Sequence, residues 1–297
     1  MYYRRKLILG LLEACGGKIN STRLQKLLLL VTRQQVKKAY DFVPYQFGCY
    51  SFTANQDMKT LGKYGIVAVT ENSGQSTWLK LDNISYLNML NKKDIEIIRK
   101  VSSQFNEYSN KELIKYTYRN YPFWAINSTI ANELLNSDEL SKIDDQKSQY
   151  DQPALLTIGY EGLTLESYIN KLLINGVDVL WDVRKNSLSR KYGFSKNQLK
   201  HACEGVGIVF FHVPDLGIDS EKRQVLNSIK DYKKLFKEYE KTTLKKNLQQ
   251  VRRLISAVSK GNRVAITCFE HDQCMCHRGE IAKKVQELDP TITVKHI

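Results

Sequence analysis

Apolar residues in the first half of the chain recur at helical spacing. Leu24, Leu27, Leu28 and Val31 share one face of the segment 21–39, which predicts an amphipathic helix. The same period returns in several neighbouring segments. The predicted helices are 4–14, 21–39, 53–64, 92–105, 110–120 and 127–136.

Two short apolar runs interrupt these helices and predict a β-hairpin. Residues 66–70 and 77–81 flank the polar segment 71–76, which contains Gly74 and is typical of a turn. We therefore expect the first half to be a helical domain that carries a small β-wing.

The first half also resembles a known group of domains. The likeness is carried by LQKLL at 24–28, YDFVPY at 40–45, GCYSF at 48–52 and LGKYG at 61–65. Over roughly residues 1–120 these segments are similar to the winged-helix-like domains related to the SocA antitoxin (Panacea) group. The resemblance implies contact with protein or nucleic acid, implies no chemistry, and is compatible with bacterial defence. Core packing between helices is the alternative explanation for the aromatic residues at 40–52.

Apolar runs alternate with helical segments in the second half, which predicts an α/β fold. The alternation favours a mainly parallel, Rossmann-like sheet covered by helices on both faces. The predicted strands are 154–158, 177–181, 208–212, 264–268 and 291–295. The predicted helices are 165–175, 195–204, 221–240, 243–259 and 279–288.

A polar stretch without periodicity separates the two halves. Residues 137–152 show no helical or strand period and predict a linker. The expected domains are therefore a winged-helix-like domain at 1–136 and an α/β domain at 153–297.

The charge of the chain predicts a polyanionic partner. The 297 residues carry a formal net charge of +14, and both halves are basic. A nucleic acid or a nucleotide is the natural ligand for such a chain, and solubility alone is the alternative. A protein partner can also bind through the front domain. The six cysteines do not resemble a secreted disulfide framework, and no apolar run is long enough to span a membrane, so we expect a cytoplasmic protein with no membrane partner.

Polar residues follow four of the predicted strands. Because ligands bind beyond the carboxyl ends of parallel strands, we expect these residues to meet in one pocket. Arginine side chains bind phosphate oxygens through paired N–H groups, so the pocket is predicted to hold a phosphate-bearing ligand. The predicted ligand-binding residues are Tyr160, Arg184, Ser189, Arg190 and Arg278. The alternative is that Arg184 and Arg190 form structural salt bridges with nearby carboxylates, among them Asp182.

The segment that ends in Cys276, His277 and Arg278 carries the candidate chemistry. A helix predicted to begin near Gly279 would lower the pKa of the Cys276 thiol, which makes this residue a candidate nucleophile. Glu270 and His277 are candidates for general acid and base. The predicted catalytic residues are Asp182, Glu270, Cys276 and His277.

Zinc binding is the alternative for the same segment. Residue types that bind zinc are abundant there, but their spacing is irregular, and adjacent side chains such as Cys276 and His277 rarely reach one tetrahedral ion. No metal and no cofactor are therefore assigned, zinc remains an open alternative, and Cys268 is expected to be an inert packed thiol. The possible zinc ligands are Cys268, His271, Cys274, Cys276 and His277.

The second half resembles domain-of-unknown-function family 488. The likeness is carried by TIGYE at 157–161, DVR at 182–184, FS at 194–195, CFE at 268–270 and CHR at 276–278. It extends over about 154–297 and implies a small Rossmann-like fold in which these positions form a shared polar pocket. It implies no settled reaction.

Two functional hypotheses follow. In the first, the protein binds a nucleotide or nucleic acid in the pocket of the second domain. In the enzymatic version of this hypothesis, it also processes that ligand. In the second, it is a non-catalytic regulatory or defence protein whose front domain grips DNA or a partner while the rear domain senses a small anion.

Overall fold

The structure, a computed structural model, describes residues 1–72, 74–150, 152–223 and 228–297. Contacts divide the chain into two units, Met1–Lys147 and Ser148–Ile297. Parts of the predicted hairpin turn, of the linker and of the helix at 221–240 fall on residues 73, 151 and 224–227, which lie outside the described residues.

The first unit is rich in helices, as the periodicity predicts. Its described helices are α1 (Tyr3–Ala14), α2 (Ser21–Gln34), α3 (Phe52–Lys63), α4 (Lys92–Gln104), α5 (Asn110–Asn120), α6 (Ala131–Leu134) and α7 (Ser137–Asp144). Its described strands are β1 (Lys18–Asn20), β2 (Val43–Tyr45), β3 (Gly48–Tyr50), β4 (Val67–Asn72) and β5 (Gln75–Lys80). The predicted hairpin is present, because β4 and β5 pair antiparallel, and β1 adds to the free side of β5.

Helix α2 begins where the sequence predicts and ends earlier. The Asn20 side chain accepts hydrogen bonds from the first free N–H groups of the helix. At the other end Gln35 leaves the helical conformation, and its amide donates to Asp94 (2.8 Å) and accepts from the backbone of Ala39 (3.1 Å). These tertiary contacts replace the helical hydrogen bonds expected up to residue 39.

The stretch assigned to a linker contains helix α7. Asn136 and Glu139 form a capping box in which each side chain bonds the other's backbone N–H. This cap starts a new helix at Ser137, so the helix predicted at 127–136 is reduced to the single turn of α6. The local capping chemistry was present in the sequence, but the polar composition concealed it.

A buried carboxylate ties the first helix to the rest of the first unit. Asp57 accepts hydrogen bonds from Arg4 (2.6 Å), Arg5 (2.7 Å) and the Tyr40 hydroxyl (3.1 Å), and its side chain is 2% exposed. A single acceptor therefore joins α1, α3 and the segment that follows α2.

The second unit is an α/β domain. Its described strands are β6 (Ala154–Gly159), β7 (Val179–Asp182), β8 (Val209–His212), β9 (Arg263–Cys268) and β10 (Val294–His296). Its described helices are α8 (Leu165–Ile174), α9 (Lys196–Glu204), α10 (Ile229–Tyr239), α11 (Leu248–Ser259) and α12 (His277–Leu288). The strands form one sheet in the order β10-β6-β9-β7-β8, and every pairing in it is parallel, which confirms the predicted parallel sheet.

Helices cover both faces of this sheet. Val264 and Ile266 of β9 pack in one cluster with apolar residues of α10, α11 and α12. The alternate residues Ala265 and Thr267 are buried as well, because successive strand residues point to opposite faces. On that opposite side α8 and α9 contact each other, and they bury their own apolar faces.

The lysine-rich region is less regular than predicted. A 3-10 turn, Ser220–Arg223, is followed after the gap by α10, by a π-helical turn at Glu240–Leu244, and then by α11. None of the helices in the described ranges is long and apolar enough to cross a membrane.

We expect Asp57→Ala to lower the free energy of unfolding of the first unit by about 3 kcal/mol, because the change leaves two partly buried guanidinium groups and the buried Tyr40 hydroxyl without their shared acceptor. Urea denaturation measures this loss. Asp144→Ala is the control, since its pair with Lys147 is exposed on both sides and its loss should change stability little. If the two substitutions lower the free energy of unfolding equally, Asp57 is not the acceptor that holds α1 and α3 together.

Candidate functional site at the carboxyl edge of the sheet

The carboxyl ends of the parallel strands bring the predicted site segments together. Gly159 ends β6, and its Cα lies so close to the loop after β9 that an added Cβ would sit 1.8 Å from the carbonyl oxygen of Glu270. The Tyr160 amide donates to the Cys268 carbonyl (3.3 Å), and the Glu161 amide donates to the Phe269 carbonyl (2.9 Å). The loops after β6 and β9 are thus packed directly on each other.

A buried ion pair lies where β7 ends. Arg184 donates through Nε to one carboxylate oxygen of Asp182 (2.7 Å) and through one terminal nitrogen to the other (2.6 Å). Its remaining terminal nitrogen donates to the Tyr160 hydroxyl (2.7 Å). Burial opposes the charge of Arg184, but the hydrogen bonds and charge of Asp182 outweigh burial and raise the pKa of the guanidinium. This is the salt bridge that the sequence left as an alternative.

Tyr160 is held by aromatic contacts. Its ring stacks on Phe194 with the centroids 4.3 Å apart and the planes 10° from parallel, and it meets the Phe269 ring edge-on. Tyr160 and Phe194 are both buried. The hydroxyl of Tyr160 therefore accepts a hydrogen bond from Arg184, and the ring of Tyr160 packs between other aromatic side chains.

Arg278 clamps the loop between β9 and α12. Its terminal nitrogens donate to the carbonyl oxygens of Glu270 and His271, and the residue is only 2% exposed. The structure brings Arg278 to the predicted edge, as it does Arg184, but the terminal nitrogens of both guanidinium groups already bond protein acceptors.

Arg190 and Ser189 lie on the loop between β7 and α9. The Ser189 hydroxyl accepts from the Lys191 amide (3.1 Å), and its own amide donates to the Ser195 hydroxyl (3.1 Å), so Ser189 shapes the loop. Arg190 is exposed to solvent. Lys191 reaches back to the carbonyl of Tyr160 (2.9 Å), which ties the loop to the strand edge.

Two thiols and an imidazole meet beside the ion pair. Cys268 ends β9, Cys276 is the N-cap of α12, and His277 is the first residue of that helix. Nδ1 of His277 lies 3.7 Å from the sulfur of Cys268 and 3.9 Å from the sulfur of Cys276. The Cys268 sulfur is also 3.2 Å from Oε2 of Glu270. All three donor atoms lie within 4.8 Å of one another and all three residues are buried, so they are able to hold a metal ion.

The surroundings of Cys276 bear on its predicted role as a nucleophile. Burial raises the pKa of its thiol well above the usual value, Cys268 and Glu270 add to this rise, and Arg278 opposes it. The sulfur is therefore protonated at neutral pH and shielded from solvent, although it sits at a helix N-terminus as predicted. A buried thiol with a raised pKa is typical of an inert structural cysteine rather than of a reactive nucleophile.

His277 is engaged on both ring nitrogens. Nε2 lies 3.0 Å from the carbonyl oxygen of Val183, the residue between Asp182 and Arg184. This contact joins the thiol–imidazole cluster to the ion pair, so the four predicted catalytic residues share one neighbourhood. Glu270 is partly exposed and is the member of the set that faces solvent.

The sequence offered Cys268 as a possible zinc ligand but favoured an inert packed thiol, so this residue was left out of the predicted site. Its position at the end of a strand, eight residues before an N-capping cysteine, was visible. The irregular spacing concealed the convergence, because the loop after β9 must fold back before α12 begins. Only the packing of Gly159 against that loop shows how far it folds.

A groove of about 600 Å³ lies between α10 and α12. Its wall carries two acidic residues, Glu240 and Glu280, together with the lysines Lys233, Lys237 and Lys283. The hydrogen bond with Glu280, then burial, then the charge of Glu280 raise the pKa of Glu240. Lys283 bonds Glu280 (2.8 Å) and partly compensates the pair.

Fold and site together define a Rossmann-like α/β domain with a buried ion pair and a thiol–imidazole cluster at the carboxyl edge of its sheet. Residues 164–285 match the model of a protein family described as Domain of unknown function DUF488. The match lies in the second unit and includes every predicted site residue except Tyr160, so the family resemblance of the second half is confirmed for this span. The resemblance proposed for the first half stays a prediction. No curated protein matches the chain.

We expect Asp182→Ala to lower the free energy of unfolding by about 3–5 kcal/mol, because it leaves the Arg184 charge buried without a counter-ion. Urea denaturation followed by tryptophan fluorescence, to which Trp181 of the same strand contributes, measures the loss. Glu204→Ala is the control, since its pair with Lys200 is exposed and is worth under about 1 kcal/mol. A loss below about 1 kcal/mol for Asp182→Ala would show that the ion pair does not hold this edge together.

We expect Glu240→Gln to raise the melting temperature at neutral pH and to leave it unchanged in acid. The native pKa of Glu240 is raised, so the native state keeps a proton that the unfolded state releases above about pH 4.3. Wild-type stability therefore falls as pH rises from that value through the native pKa, and the amide removes this fall. Glu238→Gln is the control of opposite sign, because Lys222 lowers the pKa of Glu238. If the melting temperatures of both variants change alike with pH, the proton on Glu240 does not cause the pH dependence of stability.

Proposed function

We propose that this protein binds nucleic acid, and that the exposed basic face of α10 contacts the phosphate backbone. One row of lysines carries the proposal, since its members follow helical spacing and are all exposed. The row consists of Lys230, Lys233, Lys234 and Lys237 of α10, and of Lys241 in the π-helical turn that continues it. Leu235, Phe236 and Tyr239 occupy the opposite face of the helix and are buried, so packing turns the lysine row to solvent.

The charge of this row is largely uncompensated. Glu238 on the same helix pairs with Lys222 (2.7 Å), and none of the ion pairs among the described residues includes a member of the row. Unpaired cations on one face attract a phosphate backbone and release its counter-ions on binding. A solvated face that binds nothing is the competing explanation, and the salt dependence of binding decides between them.

Helix α10 is anchored near the candidate site. The Tyr239 hydroxyl donates to the Leu216 carbonyl (2.7 Å), and its ring meets the His277 ring edge-on with the centroids 5.7 Å apart. The lysine row therefore stands on a helix whose last residue touches the thiol–imidazole cluster.

Exposed cations, rather than the buried arginines, are the proposed contacts for phosphate. Arg184 and Arg278 already bond protein acceptors, whereas Lys185 and Arg190 are exposed on the loop between β7 and α9. Arg190 thus remains the proposed phosphate ligand at the strand edge. The buried arginines support it by fixing the backbone beneath.

For the first unit we propose a winged-helix-like module that supplies a second contact with nucleic acid or with a protein partner. The observation that supports it is the antiparallel hairpin of β4 and β5 joined to a helical core. The second candidate function, a non-catalytic regulatory protein, is favoured by the burial of Cys276 and His277, which keeps two of the four predicted catalytic groups from solvent.

We expect Lys234→Glu with Lys237→Glu to weaken binding to nucleic acid and to reduce the slope of log K against log salt concentration by about two, because two phosphate contacts are lost. Fluorescence anisotropy with labelled single- and double-stranded DNA and RNA, over a range of salt concentrations, measures both quantities.

The matched control is Lys171→Glu with Lys200→Glu, which makes the same change in net charge on α8 and α9, the helices that cover the opposite face of the sheet. This control should leave the salt slope close to that of the wild type. Absence of wild-type binding at about 50 mM salt, or equal losses in the two double variants, would refute the proposed surface.

A further inference from the structure

The thiol–imidazole cluster has the donor geometry of a metal centre. A tetrahedral Zn²⁺ ion holds sulfur at about 2.3 Å and nitrogen at about 2.0 Å, which places a bound sulfur about 3.5 Å from a bound nitrogen. Nδ1 of His277 lies 3.7 Å from the Cys268 sulfur and 3.9 Å from the Cys276 sulfur. Contraction by a few tenths of an ångström would bring both separations to the coordinated value.

The hydrogen bond on the other side of the imidazole sets the tautomer. A carbonyl oxygen only accepts, so Nε2 of His277 must carry the proton that it donates to Val183 (3.0 Å). Nδ1 then holds a lone pair, and this lone pair faces the two sulfurs. A ring nitrogen fixed in this way by a backbone carbonyl is the usual support of a metal-bound histidine.

Backbone conformation explains how two adjacent residues reach one point. Cys276 is extended, with φ −139° and ψ 138°, because it is the N-cap, whereas His277 already belongs to the helix. The change of conformation between them turns both side chains toward the end of β9. Adjacent side chains rarely bind one ion, but at the N-terminus of α12 the side chains of Cys276 and His277 are able to do so.

We propose that Cys268, Cys276 and His277 bind a thiolate-preferring divalent metal ion, with Zn²⁺ as the first candidate. Coordination replaces the two thiol protons, which pass to solvent, so that two thiolates balance the charge of the ion. Imidazole and thiolate ligands together favour zinc over magnesium or calcium.

Glu270 stands beside the remaining coordination position. Its Oε2 lies 3.2 Å from the Cys268 sulfur, and unlike the three ligands the residue is partly exposed. Three protein ligands with a fourth position beside a carboxylate are typical of catalytic rather than of purely structural zinc sites. The partly exposed side of Glu270 also provides the path by which an ion enters.

The full-length protein tests the proposal directly. After purification and incubation with Zn²⁺, followed by removal of free ion, elemental analysis should find about one equivalent of zinc per chain. Replacement by Co²⁺ should give a thiolate-to-cobalt charge-transfer band in the near ultraviolet together with intense visible bands of a tetrahedral ion. Wild-type metal content below about one-tenth equivalent, or a cobalt spectrum without the charge-transfer band, would overturn the assignment.

Cys274→Ser is the matched control, since Cys274 is exposed, lies two residues from Cys276 and is not part of the cluster. Cys268→Ser and Cys276→Ser should each lose the bound metal, while Cys274→Ser keeps it. Equal loss in Cys274→Ser would refute the ligand set.

If the two ligand variants fail to fold, the wild-type cobalt spectrum decides alone. Mass spectrometry of the metal-free protein gives a further test. A disulfide between Cys268 and Cys276, together with no uptake of Zn²⁺ after its reduction, would also overturn the proposal.

Discussion

The second unit is organised around one buried ion pair at the end of β7. Asp182 is completely buried, and its carboxylate is stable there only because Arg184 returns to it through two nitrogen atoms. The pair fixes the backbone between its members. The carbonyl of Val183 is thereby presented to His277, and the carbonyl of Arg184 is presented to His212 (3.0 Å). Two imidazoles are thus oriented by the same short segment.

Burial divides the cations of this unit into two kinds. Arg184, Arg263 and Arg278 are buried and bond carboxylate or carbonyl oxygens of the protein, so their charges stabilise loops and strand ends. The lysine row of α10 is exposed and leaves its charge to solvent. Net charge alone does not separate these kinds, because it counts a structural guanidinium and a solvated ammonium equally.

Patterns with a short range were readable from the sequence. The parallel sheet follows from the alternation of apolar runs with helical segments. The convergence of Asp182, Glu270, Cys276 and His277 follows from the rule that the ends of parallel strands share one edge. Each of these inferences needs only neighbouring residues and the handedness of the chain.

Features that depend on tertiary contact were not readable. The end of α2 is set by the bond of Gln35 to Asp94, fifty-nine residues away. The engagement of Arg184 by Asp182 was one of two open alternatives, because the same residues in an open pocket would bind phosphate. Cys268 was assigned to the core because its relation to His277 depends on how the loop after β9 packs against Gly159.

The position of α10 connects the two properties proposed for the second unit. Tyr239 uses its hydroxyl on the Leu216 carbonyl and its ring on His277, so the buried face of the helix ends at the cluster. The lysine row occupies the other face of the same helix. A phosphate backbone held by that row would therefore lie against a helix whose far side borders the proposed metal ligands. Glu270 is partly exposed at this edge, whereas the three proposed ligands are buried, so among these four residues the carboxylate is the one that a bound polymer would meet first.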